Sequence, residues 1–342
     1  MSGMRHQNHI FRRFAAGGFF LAVALVPVVS DSPYQITVGN FIGLYAIVAM
    51  GLALLLGYAG QVSMAQATFF GIGAYTTAVL TTRYGINPWI AMGSGVVLTS
   101  ALAGIIGVPL LRLEGHVLAV ATLALSIVAY TVFVEWSGLT GGYDGIGGIP
   151  GLSAFGFDFY LDGHYYYLTW AGVALIFAFS SNIVRSRIGR VLRSIHQFSG
   201  GSEMAAQSLG VSPTKYKVQI FMLSAAYASV AGSLYAHWIS FINPEPFGVF
   251  VSILMLIMIT IGGMGSLWGA IIGSTVIVLA GEFFREFIPR LIPGAAGEME
   301  HIAYGMLLVL ILLFMPQGLV SAPSLIARMW RRCHLKTSQA GD

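Results

Sequence analysis

Stretches of roughly twenty apolar residues, uninterrupted by charge, recur along this chain and constrain it more than any motif does. A helix needs about 20 such residues to cross the hydrocarbon core of a bilayer. Ten stretches fit, at about 14–30, 36–57, 64–82, 88–110, 116–136, 165–184, 218–238, 248–264, 266–284 and 301–319. Only 9% of the 342 residues are charged and 56% are apolar, whereas soluble domains carry about 25% charge. So few charges could not cover the surface of a water-soluble fold, which excludes a cytosolic enzyme and a disordered scaffold. The spacing predicts an all-α polytopic membrane protein with about ten transmembrane helices. The third stretch is weak, since it carries Gln66, Thr68, Thr76 and Thr77, and only Gly262-Gly263-Met264-Gly265-Ser266 separates the eighth from the ninth.

Basic residues orient these spans, because Lys and Arg are retained on the cytoplasmic side. With the N-terminus inside, fourteen of the seventeen fall in inner segments: Arg5, Arg12, Arg13, Arg112, Arg185, Arg187, Arg190, Arg193, Lys215, Lys217, Arg328, Arg331, Arg332 and Lys336. Arg83, Arg285 and Arg290 fall outside, with most of the acids. This separation places both termini in the cytoplasm. The net charge of +4 thus reports topology rather than a nucleic-acid partner. Arg12-Arg13 before an apolar run ending at Val29-Ser30-Asp31 also fits a secretory signal. An uncleaved anchor is expected, and cleavage near Asp31 would leave nine spans with every later orientation unchanged.

The spans are also informative for what they lack. Ionisable groups inside a membrane are costly and mark ion or proton relays, yet no Asp, Glu, Lys or Arg lies in the middle third of any stretch. Glu114, Glu135, Glu282 and Glu286 sit at span ends or in loops. So do His116, His237 and His301, read as interfacial polar residues without metal-ligand spacing. Cys333 alone forms no disulfide framework or metal cluster. A secondary carrier would need a buried carboxylate, and a membrane enzyme a cluster of His or acids at one depth. No G-x-x-x-x-G-K-[ST] sequence is present, so the chain does not hydrolyse nucleotide through a P-loop. An energy source outside this chain is the expectation, with no cofactor in the chain itself.

Small residues recur at helix-contact spacing in Gly39 and Gly43, Gly104 and Gly107, and Gly269 and Gly273. A weak echo relates Gly57-Tyr58-Ala59-Gly60-Gln61-Val62-Ser63 to Gly262-Gly263-Met264-Gly265-Ser266-Leu267-Trp268. Each follows one apolar run and opens another. Paired interruptions of this kind in the two halves are the pattern of transporters built from repeats, whose path lies where helices break. A two-half internal repeat is therefore expected, although 43 glycines allow a chance match. Gln61, Ser63 and Gln66 are the candidate pathway residues.

The inner loop at about 185–217 is the most polar segment. Arg185 to Arg193 reads as a short amphipathic helix continuing the sixth span. Ser202 is placed to cap a second helix through Glu203-Met204-Ala205-Ala206-Gln207-Ser208-Leu209, with Gly210 as its stop and Pro213 beyond. A two-turn helix with small residues on one face, held below the membrane, is shaped to enter a groove of another protein.

Glu203-Met204-Ala205-Ala206 with Gly210 resembles the E-x-A-A…G coupling motif of ABC importer permeases. Further stretches resemble the branched-chain amino acid permease family, M-type subunit: the two Gly-rich segments above, the second extended to Gly269, with Ala121-Thr122-Leu123-Ala124, Leu139-Thr140-Gly141-Gly142 with Asp144-Gly145, and Pro316-Gln317-Gly318-Leu319. The resemblance runs in order from about 36 to 320. It implies a bacterial inner-membrane permease for branched-chain or related amino acids, pairing with a homologous H-type permease, two cytoplasmic ATPase subunits that use ATP, and a periplasmic binding protein. Related members carry urea or aromatic acids, and these cargoes remain alternatives; an ion-coupled carrier is disfavoured. The resemblance assigns ATPase coupling to Glu203, Ala205, Ala206 and Gly210, and no catalytic residue or metal. One departure stands out: Gln197-Phe198-Ser199-Gly200-Gly201 replaces the charged residues relatives carry before the motif. The expected organisation is an N-terminal segment and first span (1–35), a transmembrane domain (36–320) containing the coupling loop (185–217), and a basic cytoplasmic tail (321–342).

Overall fold

Proline marks three helix starts. Pro33, Pro88 and Pro213 each occupy the first helical position, where the missing N–H costs nothing and the fixed φ suits a helix. The computed structural model describes residues 17–291 except 21, 28–31, 114, 155–156, 160–161, 196–202, 209 and 211, together with isolated positions between 302 and 319. The tail 321–342 with Cys333, and Pro316, Gln317 and Gly318 of the C-terminal motif, lie outside the described residues.

The helices are α1 (Gly17–Pro27), α2 (Pro33–Leu52) continued by a π-helical turn (Ala53–Tyr58), α3 (Gln66–Thr82), α4 (Pro88–Leu110), α5 (Gly115–Glu135), α6 (Ser137–Thr140), α7 (Asp162–Arg185), α8 (Arg187–Ile195), α9 (Glu203–Ser208), α10 (Pro213–Ile239), α11 (Val249–Gly262) and α12 (Leu267–Leu291). Four two-residue strands supplement them: β1 (Ile146–Gly147), β2 (Ser153–Ala154), β3 (Phe157–Asp158) and β4 (Phe241–Ile242). Strand β1 pairs antiparallel with β4, and β2 with β3. Among the described residues six helices are long and apolar enough to cross a bilayer: α2 with its π turn, α4, α5, α7, α10 and α12. Helix α11, expected to span over 248–264, has 14 residues. At about 1.5 Å per residue it falls short of a hydrocarbon core about 30 Å thick.

Helices α2, α3 and α10 form the centre. The most apolar stretch of α2 is 72% buried and that of α10 61%, against 22% for α5 and α7. The weakest stretch of the sequence, α3, is thus enclosed, and its polar groups meet protein. Lipid is as apolar as leucine, so close packing and interhelical hydrogen bonds hold such a centre together. Helices α3 and α10 accordingly touch through backbone: a Cβ on Gly232 would lie 1.9 Å from the Phe70 carbonyl oxygen. The three glycine pairs expected at contacts all stand at them. Gly39 and Gly43 face Tyr166 and Thr169 of α7, Gly104 and Gly107 face Met222 and Phe221 of α10, and Gly269 and Gly273 meet the backbone of α11.

The connections sort onto two ends. At one, Arg83 Nη1 donates to the Gly138 carbonyl at 2.7 Å, Trp89 Nε1 to that of Ser153 at 2.8 Å, and the Tyr34 hydroxyl to Glu282. At the other lie the break at 59–65, α8, α9 and the turn at 263–266.

Candidate functional site

The two Gly-rich interruptions singled out in the sequence meet in space. After the π turn the backbone is non-helical from Gly60 to Ala65, with Gly60 at φ +68°. Between α11 and α12, Gly263 sits at φ +119°. The Tyr58 hydroxyl donates to the Gly265 carbonyl at 3.1 Å. Gly57 presses on the Met264 carbonyl so closely that a Cβ would lie 1.6 Å from its oxygen. Only glycine permits this approach, so the breaks are joined as one unit.

Unpaired backbone is tolerated at membrane depth only where protein satisfies it, and here hydroxyls of α5 and α11 do so. Met64 N donates to Thr122 Oγ1 at 3.0 Å, and Ser126 Oγ donates to the Met64 carbonyl at 2.6 Å, both from α5. Ala67 N donates to Ser252 Oγ of α11 at 2.9 Å. Gln66 Nε2 donates to Ser224 Oγ of α10 at 3.0 Å. Ser63 Oγ accepts from Ala65 N at 3.3 Å. Thr77 and Ser233 continue this polar line at 2.7 Å, as do Thr99 and Ser229 at 3.1 Å.

The three sequence-selected pathway residues are all buried in this unit. Gln61 Nε2 reaches only its near neighbour, the Ala59 carbonyl, at 3.3 Å. The amide oxygens of both Gln61 and Gln66 are buried without a hydrogen-bond partner. Two such acceptors at a helix break supply hydrogen-bonding capacity that the resting fold leaves unused, which is costly unless something else uses it. Sequence reading passed over Ser224 and Ser252, and quoted Thr122 only as part of a motif. A lone hydroxyl on an apolar helix gains meaning only from the broken backbone it faces. Among the described residues no Asp, Glu or Arg is buried, and the buried Lys217 lies near the start of α10.

At the same end, α8 does not continue α7 as the sequence reading expected. Ser186 interrupts: its Oγ donates to the Ile183 carbonyl at 2.7 Å and accepts from Ile188 N at 3.1 Å, ending one helix and starting the next. Gly189, Leu192 and Ile195 are buried, leaving Arg187, Arg190 and Arg193 exposed. Helix α9 covers Glu203 to Ser208, and Gly210 at φ +79° donates its N–H to the Gln207 carbonyl at 2.9 Å. Glu203 and Ala205 belong to this helix, Ala206 is buried, and Met204 is 81% exposed beside exposed Gln207 and Ser208. Ala206 therefore packs inward, and the outward face is Met204 and Gln207, which the motif reading did not single out.

The opposite end carries a structured cap of α6, the strands and the turns between them. Gly141, Gly142, Gly145 and Gly148 all have positive φ, and Thr140 Oγ1 donates to the Phe133 carbonyl at 2.8 Å. His237, expected to be an interfacial polar residue, is instead buried, with Nδ1 2.7 Å from the Pro150 carbonyl. Trp238 Nε1 donates to Asp162 Oδ1 at 2.9 Å. Tyr143 and Asp144 project from the cap, exposed.

A family model described as branched-chain amino acid transport system / permease component matches residues 36–314. The chain is 29% identical to the high-affinity branched-chain amino acid transport system permease protein LivM of Salmonella typhimurium, covering 88% of this chain and 72% of that protein. It is 23% identical to a probable branched-chain amino acid transport permease protein LivM of Methanocaldococcus jannaschii, covering 83% and 92%. Against LivH, a permease protein of the corresponding Escherichia coli system, identity is 23%, covering 82% and 92%. No solved structure matches the chain.

Proposed function

The chain belongs to the branched-chain amino acid transport permease family, and on that footing we propose that it forms half of the translocation path of an ATP-driven importer for branched-chain or related amino acids. It is a multi-pass protein of the bacterial inner membrane and a transport subunit. In this reading a homologous H-type permease supplies the other half, two cytoplasmic ATPase subunits supply the energy, and a periplasmic binding protein delivers cargo. In this reading ten segments of the chain enter the membrane, α11 as a short one that does not cross it alone, with both termini cytoplasmic, the first segment within 1–35 and the last before the tail at 321–342.

The observation that carries the reading is the joined pair of helix breaks, lined by Gln61, Ser63 and Gln66 with two unpartnered amide oxygens. A zwitterion crossing between the breaks would find hydrogen-bonding groups in Gln61, Ser63 and Gln66, none of which carries a charge. The breaks are also where backbone can rearrange at least cost. ATP-driven closure of the ATPase pair would pull on α9, and the pull would reach the bundle through α8 and the start of α10, shifting it between outward-open and inward-open states. Glu203, Ala205, Ala206 and Gly210 are the coupling residues in this reading, and exposed Met204 with Gln207 supply a contact face. The cap around Tyr143 and Asp144 would receive the binding protein.

The experiment is substrate-stimulated ATPase activity of the whole complex carrying Glu203→Arg with Gly210→Pro. Activity should collapse while the chain still inserts in the membrane, and unchanged transport would reject the coupling role of α9. Absence of ATPase subunits after gentle purification would reject the importer reading itself. Ligand binding by the partner binding protein decides among branched-chain amino acids, urea and aromatic acids.

A further inference from the structure

A cavity of about 600 Å³ opens beside the joined breaks at the α8 end of the molecule. Its wall is aromatic, formed by Phe20, Phe177 and Trp268: the rings of Phe177 and Trp268 are tilted with centroids 4.9 Å apart, and Phe20 meets Phe177 edge to face at 5.9 Å. Arg185, Arg193, Asn182 and Ser266 supply its polar lining, and no acidic residue lines it among the described residues. Arg193 spends Nε on the Gly189 carbonyl at 3.1 Å and Nη2 on the Val184 carbonyl at 3.2 Å. That pins its guanidinium at the end of α7 with its charge uncompensated by those neutral partners. The side chain of Arg185 is exposed.

From this arrangement we infer that the cavity binds the phosphate headgroup of an anionic phospholipid of the cytoplasmic leaflet. Three features converge on that ligand. Planar guanidinium groups match phosphate oxygens with paired N–H donors. Trp and other aromatic rings sit at headgroup level in membrane proteins. A basic pocket between spanning helices on the cytoplasmic side is the arrangement that takes anionic headgroups. Gly265, Ser266 and Tyr58 line the cavity too, so the bound headgroup rests against the junction of the two breaks. The leaflet follows from the orientation proposed above; the binding itself does not require the chain to be an importer.

The test is native mass spectrometry of the full-length chain in detergent with phosphatidylglycerol and phosphatidylcholine at equal mole fraction. The wild type should retain phosphatidylglycerol preferentially. Arg185→Gln should weaken that preference about fivefold, the effect of removing one basic group near a charged lipid, whereas Arg290→Gln at the opposite end should not. Ala178→Phe, which fills the cavity from an exposed position lining it without touching a charge, should produce a similar loss. Equal effects of Arg185→Gln and Arg290→Gln, or an Ala178→Phe chain with its preference intact, would overturn the site. Displacement of the lipid by inorganic phosphate alone would overturn the lipid as its ligand. Because neither transport nor ATP is read, failure of the importer reading and failure of this site are separable.

Discussion

Helices α3 and α5 invert the usual reading of a hydropathy profile. The most apolar window of any span is in α5, and only 22% of that window is buried, whereas α3, the poorest candidate in the sequence, has 13 of its 17 residues buried. In this pair the more apolar helix is the one left facing outward, although high hydropathy alone does not decide it, since the window of α2 is strongly apolar and 72% buried. Weak hydropathy, in a segment that must nevertheless sit among the spans, identifies the surface that meets protein, where Gln66, Thr68 and Thr77 find hydroxyl or carbonyl partners.

The sharpest way to break this contrast is to add one carbon at each place. Gly232→Ala in the centre drives a Cβ against the Phe70 carbonyl and should destabilise by about 3 kcal/mol, read as a lower melting temperature in detergent. Gly93→Ala on exposed α4 meets open space and should be neutral or stabilising by up to about 1 kcal/mol from helix propensity. Equal losses at both positions would dissolve the distinction between centre and rim.

Two threonines of α5 test it within one helix. Thr122→Val leaves the part-buried Met64 N–H without its acceptor and should cost about 1–3 kcal/mol. Thr131, exposed and bonded only to the Ile127 carbonyl of its own helix, should change stability by less than about 0.5 kcal/mol when replaced by Val.

The last substitution should move stability little and is the most diagnostic for transport. Gln66→Leu removes the bond to Ser224 together with an unpartnered oxygen, so stability should move by less than about 1 kcal/mol. Uptake by the reconstituted complex should nevertheless fall. Undiminished uptake would reduce Gln66 to a packing residue.

The contrast also marks what sequence reading reached. Apolar length found every described spanning helix, and glycine spacing found the contacts of Gly39, Gly43, Gly104, Gly107, Gly269 and Gly273, because both depend on local pattern. Gln61, Ser63 and Gln66 were legible as polar residues at a break, and the structure buries all three. The meeting of the two breaks was not legible, since nothing local tells Tyr58 that Gly265 is its partner across 207 positions. Ser186 was a missed local signal, a serine standing before a basic amphipathic run, where an N-cap belongs. The inward turn of Ala206 and the exposure of Met204 depend on how α9 docks below the bundle, which a six-residue pattern does not specify.

Burial of α3 against α10 has a further consequence in time. About 130 residues separate the end of α3 at Thr82 from the start of α10 at Pro213. At about 5–20 residues per second, roughly 7 to 26 s of synthesis pass before Ser224, Ser229 and Ser233 reach the partners that await them in the first half of the chain. During that interval α3 is a short polar segment without its shelter. The core of this protein is therefore completed late, by a helix from the second half closing over an insertion intermediate that the first half cannot finish alone.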